Sequence, residues 1–114
     1  MAEILRPLSK KERRNLETCS EIIEGYIRSI SIDFSKESIV KAEELAEKIK
    51  GIANLLMRIY PKNREIKQIM SQTIIVLTGN INPSNIIGKI ERLEELNKRF
   101  MNNIKTGYYH LLLC

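Results

Sequence analysis

The stretch 39-IVKAEELAEKIKGIANLLMRIY-60 decides the fold, because its apolar residues recur at alternating gaps of three and four. This seam consists of Ala42, Leu45, Ile49, Ile52, Leu56 and Ile59, and it is widened by Ala46, Ala53 and Tyr60. Such gaps place the residues on one side of an α-helix, as in helices that pack by knobs-into-holes contacts. A helix with this side must bury it against other helices, and the flanking sequence predicts three of them.

Capping signals delimit the first two helices. Ser9 and Glu12 have the S-x-x-E spacing of a capping box, which predicts a first helix over about 10–30. Asp33 or Ser35 is the expected N-cap of a second helix over about 36–60. Pro61 ends that helix, because the residue before a proline is driven out of the helical region.

The third and fourth helices have similar signals. Asn63 is the expected cap of a third helix over about 63–78, and Gly79 is the expected glycine after its last turn. Asn82 followed by Pro83 predicts the start of a fourth helix over about 83–105. Asn97 lies at the inner edge of this helix. It could be buried and fix the register or the oligomeric state, although the stripe width favours a boundary position with Leu96 in the core.

Short connections make successive helices antiparallel, so the sequence predicts a single all-α domain over 1–114, folded as an up-down-up-down four-helix bundle. The second helix is expected to be the longest and the third the shortest. The fourth helix should therefore run past the lower end of the bundle, which is the end where the first helix begins. The apolar segment 108-YYHLLLC-114 follows as a short tail.

Composition excludes several classes of protein. With 43% hydrophobic and 29% charged residues in 114, the chain has the profile of a soluble globular protein. No apolar run approaches the ~20 residues that span a bilayer, and cations interrupt the beginning of the sequence where a signal peptide would be apolar. Two cysteines form no disulfide framework. A cytoplasmic location is expected, and the abundance of Lys and Glu resembles the composition of thermophile proteins.

The sequence contains no pattern typical of a catalytic, metal or cofactor site. His110 is the single histidine, and it has no Cys or carboxylate neighbours at ligand spacing. Cys19 and Cys114 have no base nearby in sequence, and no glycine-rich phosphate loop is present. We therefore expect a protein that is not an enzyme, with no cofactor, metal or small-molecule substrate.

Basic residues from distant parts of the sequence are expected to meet at the lower end of the bundle. They begin the first helix and surround the turn between the second and third helices: Lys10, Lys11, Arg13, Arg14, Arg58, Lys62 and Arg64. Charge runs are often only solvated faces, and cations at a helix C-terminus are stabilised by the helix dipole. The alternative is a continuous positive surface for an anionic partner such as nucleic acid.

The apolar segment 108–114 has three alternative positions. It could fold back on its own chain, pack against another subunit, or rest on a membrane, which its short length disfavours. Because the fourth helix is expected to overrun the bundle, we predict that Tyr108, Leu111 and Leu112 contribute to a symmetric dimer contact.

These observations lead to one functional expectation and one alternative. The leading expectation is a non-enzymatic interaction or assembly protein, acting as a homodimer or as a small subunit of a larger complex. The alternative is a sequence-nonspecific nucleic-acid-binding protein that uses the basic end of the bundle.

Overall fold

The computed structural model of the chain describes residues 4–7, 9–35, 39–61, 63–105 and 110–113. Four helices follow one another: α1 (Lys10–Ser35), α2 (Ile39–Ile59), α3 (Arg64–Leu77) and α4 (Ile86–Lys105). Each helix packs against the next, and α4 also packs against α1, which closes the bundle. The predicted all-α four-helix bundle is confirmed. Among the described residues, no helix is long and apolar enough to cross a membrane.

The core consists of two clusters that follow one another along the bundle. We call the first the lower core; its buried residues are Leu16, Ala53, Leu56, Ile66, Ile69, Met70, Leu96, Phe100 and Ile104. The second is the upper core: Ile23, Ile27, Ile30, Ala42, Leu45, Ala46, Ile49, Leu77, Ile81, Ile86 and Leu93. The lower core joins the first half of α1 and α3 to the second half of α2 and α4. This arrangement agrees with antiparallel packing of successive helices.

The α2 seam packs into the core, except for Ile59 at its end, which is largely exposed. Ile49 and Ala53 are completely buried, and Ala46 is nearly so, whereas 53% of Ile59 is exposed. Ile59 is ten residues from Ile49, which turns it by about 80° from Ile49 around the helix axis at 3.6 residues per turn. The side of α2 that faces the core is therefore centred on Ile49, and Ile59 lies on its flank.

The prediction that α1 ends near residue 30 was wrong. This helix continues to Ser35 and, with 26 residues, is longer than α2 with 21. Asp33 and Ser35 lie inside α1, so neither caps α2, and residues 36–38 are outside the described part of the chain. No glycine or proline stands between residues 30 and 36, and polar residues alone do not stop a helix.

The predicted caps of α1 and α3 are confirmed. The Ser9 backbone N–H donates to Glu12 Oε1 at 3.1 Å, and the Glu12 N–H donates to Ser9 Oγ at 3.1 Å. Asn63 Oδ1 accepts the Ile66 N–H at 3.1 Å, which satisfies one donor of the first turn of α3. Gly79 has a φ of 91°, a left-handed conformation that glycine adopts without steric cost.

The fourth helix ends at Lys105 as predicted, but it starts later than predicted and does not overrun the bundle. Asn82 Oδ1 accepts the N–H groups of Ser84 and Asn85 at 3.0 and 3.1 Å, and regular helix begins only at Ile86. At the other end Ile104 is completely buried in the lower core. The expected overrun is wrong, because the last turn of α4 packs beside the first turns of α1.

Two short strands accompany the bundle: β1 (Ile4–Pro7) and β2 (His110–Leu113). They pair antiparallel, with Leu111 opposite Arg6 and Leu112 opposite Leu5, and we call this pair the ribbon. Within the described residues neither strand contacts a helix. Of the three predicted dimer-contact residues, Leu111 and Leu112 lie in β2, and Tyr108 lies outside the described residues.

The upper core generates a stability prediction. Ile49→Ala should lower the free energy of unfolding by roughly 2–5 kcal/mol, because the side chain is completely buried and its removal leaves a cavity. Val40→Ala is the matched control on the same helix, since 70% of Val40 is exposed, and it should change stability by less than about 0.5 kcal/mol. Urea unfolding followed by circular dichroism measures both. Equal losses in the two variants would contradict the core assignment.

Candidate functional site

A pair of hydrogen bonds joins the middle of α1 to the middle of α4. Ser20 Oγ donates to Asn97 Oδ1 at 2.9 Å, and Asn97 Nδ2 donates to the Ser20 carbonyl oxygen at 3.1 Å. Ser20 is 1% exposed, so its hydroxyl has little access to water. The pair lies between the two cores, since Leu16 belongs to the lower core and Ile23 to the upper core. We call it the Ser20–Asn97 link.

The position of Asn97 agrees in part with each of its two predicted roles. The side chain is half-buried at a boundary, and Leu96 takes the core position, as the stripe width indicates. Its two hydrogen bonds to Ser20 nevertheless join α1 and α4 at one register. Its partner Ser20 was not predicted from the sequence. The spacing of 16, 20, 23, 27 and 30 repeats the gaps of three and four found in α2, and could have identified it.

Charge is distributed unequally along the bundle. Among described residues of the lower half, ten cations face three anions: Lys10, Lys11, Arg13, Arg14, Arg58, Arg64, Lys67, Lys98, Arg99 and Lys105 against Glu12, Glu17 and Glu65. In the upper half six cations face nine anions: Arg28, Lys41, Lys48, Lys50, Lys89 and Arg92 against Glu21, Glu24, Asp33, Glu43, Glu44, Glu47, Glu91, Glu94 and Glu95. The lower half therefore creates a positive local field that the net charge of +5 understates.

The side of the bundle formed by α1 and α4 carries much of this asymmetry. A shallow cleft of about 380 Å³ lies along it, and the lining includes Glu24 and Arg28 of α1 with Glu94 and Lys98 of α4. Helical spacing adds further residues to the same stripes: Lys10, Glu17 and Glu21 on α1, and Ile87, Glu91 and Lys105 on α4. Cations occupy the lower part of this side and carboxylates predominate in the upper part.

A smaller basic group lies on the opposite side, formed by α2 and α3. Ser71 Oγ lies 3.4 Å from Met57 Sδ and so marks the contact between these helices. Arg64 and Lys67 precede Ser71 by seven and four residues, which places them on the same stripe of α3. Arg58 of α2 is turned by about 100° from Met57 and is exposed at the same end of the bundle. In a closed ring of four helices the α2–α3 side faces away from the α1–α4 side.

The structure thus brings most of the predicted basic residues to one end, on more than one side. Lys10, Arg13 and Arg14 lie at the start of α1, whereas Arg58 and Arg64 flank the turn between α2 and α3. Lys11 is exposed at the start of α1, and Lys62 lies outside the described residues. That all seven form one continuous surface stays a prediction. Lys98 and Lys105 of the α1–α4 side were not among the seven residues predicted to contact an anionic partner.

Arg13 is the least satisfied of these cations. It precedes Ser20 by seven residues, so it lies on the side of α1 that faces α4. The residue is half-buried, and its Nε is buried without a hydrogen-bond partner in the described structure. A buried donor left without an acceptor costs on the order of 1–3 kcal/mol. Arg13 therefore occupies this position at a cost to stability.

Neutralised cations occur beside these exposed ones. Arg99 of α4 forms an ion pair with Glu65 of α3 at 3.2 Å, and Arg28 pairs with Glu24 at 2.7 Å. Lys89 Nζ donates to the carbonyl oxygen of Val76 at 2.6 Å and so satisfies the last turn of α3. The exposed Arg28–Glu24 pair contributes little to stability, whereas Arg99 and Lys89 each join α4 to α3.

Exposed apolar side chains lie on several helices. Leu55 and Ile59 of α2 are 47% and 53% exposed, and Ile22 of α1 is 41% exposed. Lys48 Nζ lies 5.7 Å from the centre of the Tyr26 ring, which aligns α1 and α2 so that Ile22 and Leu55 share one side. Ile75 and Ile87 are isolated on α3 and α4. Scattered residues of this kind are common on monomeric proteins.

The groups that could carry chemistry are few. Burial raises the pKa of the Cys19 thiol, so the reactive thiolate is disfavoured. No group of three or more His, Cys, Asp or Glu that could hold a metal ion occurs among the described residues. His110 lies in β2 opposite Pro7, and Cys114 is outside the described residues.

Comparison of the chain with protein-family models, curated proteins and solved structures gives no match. Functional inference therefore depends on the geometry and charge described above.

The Ser20–Asn97 link leads to an asymmetric prediction. Asn97→Ala should lower the free energy of unfolding by roughly 1–3 kcal/mol, because the buried Ser20 hydroxyl loses its acceptor. Ser20→Ala should cost less, since water can reach the half-buried Asn97. A double-mutant cycle measured by urea unfolding should give a coupling energy of about 0.5–1.5 kcal/mol. Gln72→Ala, which removes an exposed hydrogen bond to Arg92, is the control. Additive losses at Ser20 and Asn97 would contradict the link.

The raised pKa of Cys19 predicts slow alkylation. At pH 8 a higher pKa leaves a smaller thiolate fraction, so iodoacetamide should modify Cys19 more slowly in the folded chain than in urea. The Cys114→Ser variant isolates the Cys19 signal, which mass spectrometry measures. Faster modification in the folded protein would mean that Cys19 is an activated nucleophile, against this expectation.

Proposed function

We propose that this protein is a non-enzymatic helical assembly protein, and that two copies associate by pairing their β2 strands. The observation that supports this proposal is the ribbon. It is a two-stranded sheet that contacts no described helix. A pair of strands without further packing is marginally stable in water, and each of its outer edges offers unpaired backbone groups to another chain.

The two edges of the ribbon are not equivalent. The sequence of β1 contains Arg6 and Pro7, and a charge and a proline are the features that protect natural edge strands from pairing. The sequence of β2 is HLLL, which keeps every backbone N–H and carries no fully charged side chain. The open edge of β2 is therefore the better template for an additional strand.

A second copy fits this edge. Two β2 strands that pair antiparallel are related by a two-fold axis, so the same residues contact each other from both chains. The product would be a four-stranded antiparallel sheet in the order β1-β2-β2-β1. It would extend the hydrogen-bonded ladder and give Leu111 and Leu112 apolar neighbours across the new pair. Support for the earlier dimer prediction is thus strongest at these two residues.

The test is the mass in solution. The parent chain should approach twice its 13.2 kDa mass in light scattering as concentration rises, with reducing agent present to prevent disulfides. A chain that ends at Gly107, and therefore lacks β2, should remain monomeric with an unchanged helical circular dichroism spectrum. The full-length double variant Leu111→Lys/Leu112→Lys should also be monomeric, because charge on an edge strand opposes pairing.

Ile75→Lys/Ile87→Lys is the matched control. It introduces the same change at two exposed apolar residues outside the ribbon and should leave the dimer intact. A parent that is monomeric at every concentration would overturn the proposal. So would a dimer that survives loss of β2 but dissociates in Leu55→Lys/Ile59→Lys, which would assign the interface to α1 and α2.

A further inference from the structure

We propose that the lower part of the α1–α4 side binds the phosphate backbone of double-stranded nucleic acid without reading the bases. This activity goes beyond self-assembly and depends on a different surface. The residues proposed to contact phosphates are Lys10, Arg14, Lys98 and Lys105, and Arg13 lies beside them in the helix contact.

The Ser20–Asn97 link determines how these cations are placed. Lys10 and Arg14 precede Ser20 by ten and six residues, and Lys105 follows Asn97 by eight. At a rise of ~1.5 Å per residue they lie about 15, 9 and 12 Å below the link. The helix axes are about 8–10 Å apart. The three charges therefore occupy a patch roughly 10 Å across, a length over which one strand of a duplex presents about three phosphates.

These cations are available for a ligand. Lys10, Arg14, Lys98 and Lys105 form no ion pair within the described part of the chain, in contrast to Arg99 and Arg28. Lys10 and Arg14 begin a helix, where positive charge is disfavoured by the helix dipole. Helix stability therefore explains Lys105 at the end of α4 but not the cations of α1.

Arg13 adds a further cation beside these residues. Its buried Nε lacks a partner, and an uncharged side chain of similar length would avoid that cost. A cation at this position adds to the positive potential between Lys10 and Lys105. A residue that is unfavourable for the isolated fold and favourable for an anion is expected where an anion binds.

The surrounding residues favour a duplex over a single strand. Proteins that bind single strands stack bases on aromatic rings, and the described residues of the α1–α4 side include no aromatic side chain. Glu17 lies on the same stripe between Arg14 and the link, and higher on this side Glu21, Glu24, Glu91 and Glu94 repel phosphate. The footprint is therefore short and confined to the lower half, and contacts of this kind position a protein without sequence specificity.

The experiment measures fluorescence anisotropy of a labelled 20-base-pair duplex of mixed sequence with the full-length chain. We expect binding at 50 mM salt that weakens on approach to 200 mM, with a slope of log K against log salt of about −3 to −4.5 for three to five phosphate contacts. A second duplex of unrelated sequence should bind with the same affinity. Absence of binding at 50 mM salt, or affinity independent of salt, would overturn the proposal.

Two charge-matched variants assign the surface. Lys10→Glu/Arg14→Glu/Lys105→Glu should weaken binding by at least ~10-fold. Arg58→Glu/Arg64→Glu/Lys67→Glu changes the net charge equally on the α2–α3 side and should stay within about threefold of the parent. Equal losses in both would contradict a localised site. The corresponding glutamine variant of the first set, with a parent-like circular dichroism spectrum, replaces it if the glutamate variant does not fold.

Two further measurements address the mechanism and the class of partner. Arg13→Met should weaken duplex binding while leaving the urea midpoint unchanged or higher, because it removes a cation and an unsatisfied donor together. A lower midpoint together with unchanged binding would contradict the role of Arg13.

Polyglutamate should compete poorly with the duplex. Equal competition at equal charge would indicate an acidic protein partner and overturn the nucleic-acid proposal.

Discussion

The register between α1 and α4 is the constraint on which the surface of this protein depends. Apolar packing alone allows neighbouring helices to slide, because one leucine or isoleucine can replace another in the same groove. The Ser20–Asn97 link has no such freedom, since a shift of one turn would leave the buried Ser20 hydroxyl without its acceptor. One specific polar contact among apolar ones therefore determines which charges become neighbours on the α1–α4 side.

The consequences extend along that side in both directions. Below the link, the fixed register brings the first turns of α1 beside the last turn of α4, and so places Lys10 and Arg14 near Lys105. Above the link, carboxylates of the two helices share the same stripes. Like charges from two helices meet at both ends of one side. Their mutual repulsion is unfavourable for the isolated chain, and a bound polyanion would relieve it at the lower end.

The sequence was sufficient to predict the fold class because each helix has its own apolar period and most helix ends have local signals. Ser9 with Glu12, Asn63 and Gly79 act locally, within a few residues, and all three are found as expected. The end of α1 was not predictable in this way, since polar residues such as Asp33 occur at caps and inside helices alike. The strands were missed for a different reason: β1 and β2 are about a hundred residues apart, and pairing at that distance leaves no periodic signal in either segment.

The sequence predicted the end of the bundle at which the basic residues lie, but not the side. The order of the helices was enough to predict that Arg14 and Arg64 lie at the same end of the bundle. Antiparallel packing determines which helix termini are neighbours. The side of the bundle on which each residue lies depends on rotation about the helix axis, and contacts such as those of Ser20 and Ser71 reveal that rotation.

The ribbon adjoins, in sequence, the cations proposed to bind phosphate at the lower end of the bundle. Residues 8 and 106–109 join the ribbon to the lower end of the bundle, next to Lys10 and Lys105. Two copies paired through β2 would therefore hold their basic ends near one another, where they repel at low ionic strength. Salt would screen this repulsion and favour the dimer, but would weaken duplex binding by favouring counterion association. A duplex that contacts both patches would replace the repulsion by attraction, so binding of nucleic acid and assembly would reinforce each other.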